Sequence, residues 1–254
     1  MSVLTQPIHD FLAYLDRIAP GYQDELAGDA LYILRLNRVH ENAELPPLYE
    51  SFLRVMGTSV GASLFHDLNL NAADIINWYH GVYPTLWPVG DNYHLLAFPK
   101  QDEMHWFMAL DERVGKDDVM IFQAEGTQPL EDARKQNFCH YGFRDLLYFE
   151  AFTKLHMKRW NTPTQVLRQI LPADETRVLH ERLAATFAKA GFHEMGATSE
   201  YLDLYERDDC LVALQREVTR PGHLIVRLAG AEAKATEAFM HSLVDTYDLT
   251  IAQC

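Results

Sequence analysis

The stretch ELPPLYESFLRVMG, residues 44–57, predicts a helix with sharply defined ends. Pro46 and Pro47 suit its first turn, where an amide has no intrahelical partner, and Gly57 suits its exit because glycine adopts the left-handed conformation cheaply. Four apolar residues follow the i, i+3, i+4, i+7 spacing that lines one face of a helix, namely Tyr49, Phe52, Leu53 and Met56. We therefore expect a core helix whose role is structural.

The composition of the chain excludes several classes of protein. With 254 residues, it is longer than most single domains, so two domains are expected. A formal net charge of -14 argues against a nucleic-acid-binding surface. The three cysteines are far apart and form no CxxC, and neither GxGxxG nor GxxxxGK[ST] occurs, so we expect no metal and no cofactor. No apolar run approaches the roughly 18 residues of a membrane span, and the start lacks signal-peptide features, so we expect a cytoplasmic protein without a membrane partner.

The first part of the chain, residues 1–160, predicts an α+β domain. Helical spacing covers four segments, 6–18, 24–41, 46–56 and 71–80. Three short aromatic and aliphatic runs then predict consecutive antiparallel strands, at 92–98, 104–110 and 118–123. Helical spacing returns over 142–160. An order of helices, meander and helix is typical of the α+β class.

The second part, residues 161–254, predicts a smaller two-layer α/β sandwich with the order αβββαβ. Pro163 and Pro172 bracket a segment that we interpret as a short helical piece at the domain boundary. Its predicted elements are a helix at 175–192, strands at 198–206, 209–218 and 223–229, a helix at 231–246 and a terminal strand. Both helices are expected on one side of the sheet. Leu202 and Leu204 alternate with Asp203, which predicts a strand with one solvated face.

Histidines and serines give little indication of catalysis. No HExxH occurs among the twelve histidines, although His94 and His105 lie on adjacent predicted strands and could meet across a hairpin. Ser59, Ser63, His66 and Asp67 lie in one segment, but the GxSxG elbow of a hydrolase nucleophile is lacking. A hydrolase assembled from distant histidines and carboxylates stays open as an alternative function.

Acidic pairs occur in the predicted turns of the meander. Asp111 and Glu112 form one pair, and two further pairs are candidates for a patch that faces a basic partner, namely Asp102, Glu103, Asp117 and Asp118. The alternative is a solvated surface that serves solubility. Tyr79, Tyr83, Trp87 and Tyr93 lie in or beside the irregular segment before the sheet, where they are candidates for aromatic anchors of an interface or for core residues.

The opening stretch resembles the LPxxYxxFLxxxG segment of the SUKH superfamily, which includes a fungal cell-wall-assembly regulator and bacterial toxin-immunity proteins. The residues that match are Leu45, Pro46, Tyr49, Phe52, Leu53 and Gly57. The order of elements is similar over about 24–155, although the loop after Gly57 lacks a second glycine beside it. The resemblance implies a SUKH-like antiparallel sheet with flanking helices and a non-enzymatic binding function, commonly the neutralisation of a toxin. It implies nothing about the second domain.

We therefore expect a protein that binds another protein. As an immunity protein, it would cover the basic active-site face of a toxin, with electrostatic steering and a few desolvated anchors. A regulatory adaptor is a further alternative. The sequence identifies neither the partner nor the oligomeric state.

Overall fold

The structure is a computed structural model, and its fold belongs to the α+β class, as predicted. It describes residues 4–40, 44–81, 92–99, 104–126, 128–136, 138–160, 162–217, 220 and 222–252, with the backbone alone for 138–140. The chain divides into two compact units, Met1–Glu150 (unit 1) and Ala151–Cys254 (unit 2). We expected this division near residue 160.

Unit 1 combines helices with a five-stranded antiparallel sheet. Its helices are α1 (Gln6–Ile18), α2 (Leu31–Val39), α3 (Pro47–Met56), α4 (Ala72–Gly81), α5 (Leu130–Gln136) and α6 (Phe143–Ala151). A two-stranded ribbon is formed by β1 (Leu26–Ala27) and β2 (Ser59–Val60). The sheet is formed by β3 (Leu68–Asn69), β4 (Tyr93–Pro99), β5 (Met104–Val114), β6 (Asp118–Glu125) and β7 (Phe138–His140), in that order.

The core of unit 1 is built from aromatic rings of helices and strands. Phe52 of α3 lies edge-on to Phe143 of α6, with 5.1 Å between ring centroids. Phe107 of β5 and Phe122 of β6 stack at 5.6 Å across the sheet. All four rings are inaccessible to solvent. This packing fixes α3 against the centre of the unit, as its apolar face predicts.

One predicted helix begins later than its pattern suggests. Helical spacing covers 24–41, but α2 begins only at Leu31. Gly28 lies so close to the main chain of Arg54 in α3 that a side chain at residue 28 would collide with it. The amide of Asp29 also donates to the carbonyl of α3 residue Leu53 (3.1 Å). Tertiary contact with α3 therefore overrides the local helical preference.

The last predicted helix of the first part ends earlier than expected. Helical spacing covers 142–160, whereas α6 ends at Ala151. A π-helical turn, Phe152–His156, and a 3-10 turn, Met157–Arg159, follow it. The apolar pattern continues through this segment, but the hydrogen-bond spacing of the backbone changes.

Unit 2 is a six-stranded antiparallel sheet with two long helices. Its elements are β8 (Gln165–Ile170), α7 (Ala173–Lys189), β9 (His193–Glu194), β10 (Leu202–Arg207), β11 (Cys210–Arg216), β12 (His223–Gly230), α8 (Ala233–Tyr247) and β13 (Thr250–Ile251). The strand order is β13-β8-β12-β11-β10-β9. The short helix expected between Pro163 and Pro172 is wrong, because this segment is β8, which pairs with β12 on one side and β13 on the other.

Both helices of unit 2 pack on the same face of this sheet. Phe187 of α7 and Leu243 of α8 share one core cluster with Val212 and Val226 of the central strands. The opposite face is also apolar and buried, as Leu204 shows with no exposed surface. The solvated face predicted for β10 is therefore wrong, since the residues that alternate with the leucines point towards α7 and are largely buried.

Candidate functional site

The loop that follows α3 is fastened to the segment that precedes α2. β1 and β2 pair across this contact. The main-chain carbonyl of Glu25 accepts a hydrogen bond from Ser59 Oγ (2.8 Å), and the Glu25 carboxylate accepts one from the amide of Ala62 (3.0 Å). The loop therefore has a defined position, although most of it is irregular.

Tyr22 is the second fastening point of this loop. Its hydroxyl donates to the carbonyl of Val60 (2.9 Å) and accepts from the amides of Ser63 (3.3 Å) and Leu64 (3.0 Å). Burial raises the pKa of this hydroxyl, the two amide bonds lower it, and the charge of Glu25 raises it. Tyr22 therefore stays neutral and holds three successive parts of the loop.

A pocket of about 370 Å³ opens beside this loop. Its apolar lining is supplied by Met56, Leu64, Phe65, Leu68 and Leu70, and polar groups come from Ser59, Asn69, Asn71 and Asp74. Asn71 caps α4 by accepting from the amide of Ala73 (2.9 Å), and its own amide group donates to the carbonyl of Thr58 (2.9 Å). The pocket is thus preformed by capping and packing interactions.

One carboxylate lines the pocket, and others lie on the segments that form or hold its loop. Asp74 lines it and accepts a hydrogen bond from Asn69 (2.9 Å). Asp67 lies in the loop, paired with His66 at 2.8 Å, and both side chains are exposed. Glu25 and its exposed neighbour Asp24 lie on the fastened segment. Since no Lys or Arg lines the pocket among the described residues, this surface is suited to a positively charged group.

Helix α2, which begins four residues after β1, exposes apolar side chains. Just before this helix, the Asp29 carboxylate accepts a hydrogen bond from the amide of Leu31 (2.8 Å). Leu31 is 47% exposed and Leu34, one turn later, is 60% exposed. Arg35 and Arg38 are exposed further along the helix. We call residues 22–38 together with the loop 58–74 the pocket face. Its charge changes from acidic to basic along α2.

Sequence reasoning missed these leucines, although a signal was present. The first turns of α2 carry apolar residues at 31, 33, 34 and 36, which is more than one helix face can bury. Ile33 and Leu36 take the core positions. The other two are therefore left on the surface.

Asp118, predicted to face a partner, is buried. It is 1% exposed, and its carboxylate accepts hydrogen bonds from the amides of Phe143 (3.0 Å), Arg144 (2.9 Å) and Val119 (2.8 Å). Burial raises its pKa to about 6, while the three amide bonds oppose that rise. Asp118 therefore caps α6. The sequence contained one clue to this role. No Ser, Thr, Asp or Asn directly precedes Phe143, so α6 lacks a local side-chain cap and its first amides need an acceptor from elsewhere in the chain.

The rest of the predicted acidic patch does not form a described surface. Asp117 is partly exposed, and its main-chain carbonyl accepts a hydrogen bond from the amide of Leu48 in α3 (2.9 Å). Asp102 and Glu103 lie outside the described residues. The meander turn at 117–118 thus holds the first turns of two helices, which is a structural role.

The candidate aromatic anchors are also placed differently. Tyr83 and Trp87 lie outside the described residues. Tyr93 is 6% exposed, so its assignment to a partner surface is wrong. Its hydroxyl donates to the carboxylate of Glu131 and accepts from Arg134 (3.5 Å). These hydrogen bonds fix α5 against β4.

Arg134 also pairs with the carboxylates expected in a turn. Asp111 and Glu112 belong to β5, where they lie 3.0 Å and 2.5 Å from the guanidinium of Arg134. The strand has an irregular register between Ala109 and Arg113. Both carboxylates therefore stabilise α5 on the sheet.

The residues of the SUKH-like segment lie in the core of unit 1. Leu45, Tyr49, Phe52 and Leu53 are each 3% exposed or less, and Pro46 and Gly57 are buried. Gly57 is not left-handed, with φ -67°. A Cβ at this position would lie 2.6 Å from the carbonyl oxygen of Leu53, so close packing requires the glycine.

His94 and His105, considered above as a cross-strand pair, do not meet. His105 packs on Trp78 at 4.9 Å, and β-sheet pairing places it opposite Ala124, away from His94. In unit 2, His180 lies 3.2 Å from Asp203, and burial together with the charge of Arg216 lowers its pKa to about 4. Among the described residues, no three His, Cys, Asp or Glu side chains form a metal-binding group.

No protein-family model matches this chain, and no curated protein aligns with it. Within the described ranges, no helix has both the length and the apolar composition to cross a bilayer.

Proposed function

We propose that this protein binds another protein without catalysing a reaction, as an immunity protein that neutralises a toxin by covering its basic active-site face. The observation that carries the proposal is the pair Leu31 and Leu34, exposed on the helix that follows β1, whose partner strand β2 lines the pocket. Burying a leucine side chain contributes about 1.5–3 kcal/mol. Two leucines one helical turn apart therefore supply a small apolar anchor for a partner, and the pocket supplies a rim of opposite charge.

The charge distribution supports a partner with a basic surface. Asp24, Glu25, Asp67 and Asp74 are exposed on the pocket face. Such charges accelerate encounter with a positive surface and contribute less to the final affinity than the desolvated anchors do. The arginines at the other end of α2 would orient the partner, because they repel its basic groups.

The resemblance to the SUKH superfamily also supports this function. Helix α3 contains the middle of the matching segment, and its last residue, Met56, lines the pocket. The carbonyl of Gly57 accepts a hydrogen bond from the amide of Ala72 (2.8 Å), so the end of the segment is tied to the start of α4. The matching segment thus ends at the pocket, where Met56 lines it and Gly57 holds the start of α4.

The proposal is tested with the product of the gene immediately upstream. Its C-terminal domain is expressed in a bacterial host with and without this chain, and growth and complex formation are measured. We expect the chain to restore growth and to bind the domain stoichiometrically. A domain that stays toxic and does not bind overturns the proposal, whereas stable binding of a harmless domain favours the adaptor.

Two substitutions on α2 test the surface. Leu31→Glu combined with Leu34→Glu should weaken binding at least ~30-fold, which corresponds to about 2 kcal/mol at an interface anchor. Val178→Glu is the matched control, since Val178 is a 48% exposed apolar residue on helix α7 of unit 2. Both proteins should keep wild-type stability. Equal affinities of the two variants would exclude the pocket face as the binding surface.

A further inference from the structure

A pair of histidines forms the polar centre of unit 1. His40 Nε2 and His94 Nδ1 are 2.8 Å apart, and the two side chains are 2% and 0% exposed. They are 54 residues apart in sequence and come from the end of α2 and from β4. A hydrogen bond between two neutral imidazoles needs one ring to donate and the other to accept.

Two tyrosines enclose this pair. The Tyr49 hydroxyl of α3 lies 3.4 Å from His94 Nε2, and the Tyr79 hydroxyl of α4 lies 3.3 Å from His94 Nδ1. Tyr79 also accepts a hydrogen bond from the amide of Leu95 (2.6 Å). In one tautomer pair that fits these contacts, His40 donates from Nε2 and His94 donates from its own Nε2 to Tyr49.

The pair couples the core to the pocket face, because His40 is the C-terminal cap residue of α2. The same helix exposes Leu31 and Leu34. The buried imidazole of His40 is thus a direct contact between the end of α2 and the sheet. A change that breaks the hydrogen bond between the histidines removes this contact.

We propose that the His40–His94 pair is an acid-sensitive clamp, which keeps α2 in its binding position near neutral pH and releases it when the pair takes up a proton. The clamp itself follows from the geometry, and its effect on a partner rests on the proposed function. A proton on His94 Nδ1 would face the N–H of His40, so the present hydrogen bond would be lost or would require the other His40 tautomer. In both cases a positive charge would lie in a site closed to water.

The surrounding charges do little to stabilise such a proton. On α3, Glu50 accepts a hydrogen bond from Asn37 of α2 (3.5 Å). On α4, Asp74 binds Asn69 and His80 is exposed. Arg35 and Arg38 of α2 are positive and exposed. Burial, followed by the neighbouring charge of His40, lowers the pKa of His94 well below its ordinary value of 6.5.

The direction of the effect follows from proton linkage. The released state binds a proton with an ordinary histidine pKa of about 6.5, while the clamped state does not. The equilibrium constant for release therefore rises as pH falls below about 6.5. For one proton the expected increase is about ten-fold per pH unit.

Hydrogen exchange of the full chain tests the clamp without a partner. Protection factors of amides in residues 31–39, corrected for intrinsic exchange, are measured by mass spectrometry from pH 7.5 to 5. We expect wild-type protection to fall about ten-fold per pH unit below about 6.5. Protection in residues 31–39 that is independent of pH in the wild type overturns the clamp, whatever the variants do.

His94→Gln and His9→Gln separate the clamp from a general effect of acid. His9 is an exposed histidine of α1, so its variant should follow the wild type. A folded His94→Gln variant should lose the pH dependence of α2, and retention of that dependence would exclude His94 as its source. If this variant does not fold, the wild-type series alone decides.

Binding of the C-terminal domain of the upstream gene product at pH 7.5 and 5.5 tests the regulation. We expect weaker binding at pH 5.5 by the wild type, in proportion to its loss of protection. Unchanged affinity despite loss of α2 protection overturns the regulatory role and leaves the clamp. A domain that binds at neither pH removes the proposed function together with its regulation, while the exchange result stands.

Discussion

Replacement of Asp118 tests the capping of α6 from the meander turn. Asp118→Ala leaves three amides, those of Val119, Phe143 and Arg144, without their acceptor. At about 2 kcal/mol for each unsatisfied buried amide, the loss is about 6 kcal/mol. The variant also removes a buried charge. Because the pKa of Asp118 is raised from 3.8 to about 6, keeping its carboxylate ionised in the fold costs about 3 kcal/mol at neutral pH, and the variant removes this cost. The net destabilisation expected at pH 7.5 is therefore about 3 kcal/mol.

The pH dependence of this destabilisation has a defined sign. The folded-state pKa of Asp118 is raised, so its protonation stabilises the fold, fully below pH 3.8, and this stabilisation is lost as pH rises through about 6. A protonated carboxyl still accepts hydrogen bonds. The difference in unfolding free energy between the wild type and Asp118→Ala should therefore grow to about 5 kcal/mol at pH 4.5.

Urea unfolding followed by circular dichroism at the two pH values measures both quantities. Asp117→Ala is the matched control, because the capping contact of Asp117 with α3 uses its main-chain carbonyl. This control should change stability by less than about 0.5 kcal/mol. Equal stability of the two variants would refute the cap. If the difference in unfolding free energy between the wild type and Asp118→Ala does not vary with pH, the raised pKa of the buried Asp118 carboxylate is refuted.

Two further predictions concern the core of each unit. Phe52→Ala should cost about 3–5 kcal/mol of unfolding free energy, because Phe52 is fully buried between aromatic rings, and a melting temperature within a degree or two of the wild type would contradict this. In unit 2, the folded-state pKa of His180 is lowered to about 4, so stability should fall by about 3 kcal/mol between pH 6.5 and pH 4. Unfolding of His180→Gln over the same pH range should lack this contribution, and an identical pH profile in the variant would show that His180 is not its source.

The sequence predicted those elements whose pattern is reinforced by local signals. Helix α3 has prolines at its start, a glycine after its end and a complete apolar face, and it forms where these signals place it. Strands β4, β5 and β6 were recognisable from short aromatic runs between charged turns. In these segments, local preference and tertiary packing favour the same structure.

Tertiary contacts decided the elements that the sequence did not predict. In β8, Val166, Leu167 and Ile170 fit a helical spacing, but strands on both sides pair with this segment. Gly28 gave no local sign of its close approach to α3. Among site residues, the role of Asp118 depends on amides 25 and 26 residues away, and His40 meets a partner 54 residues away. Contacts between residues so far apart in sequence leave no signal in the pattern of a single segment.

The position of β8 has a consequence for the way unit 2 is completed during synthesis. Its outer neighbour, β13, is the last strand of the unit, and Thr250 Oγ1 donates to the carbonyl of Arg168, 82 residues earlier. The hairpins β10–β11 and β11–β12 join neighbouring segments and can form early, whereas β8 keeps one open edge until residues 250–251 have left the ribosome. Pairing across so long a loop is slow. The nascent chain therefore exposes the edge of β8 to other chains for longer than any of the hairpin strands.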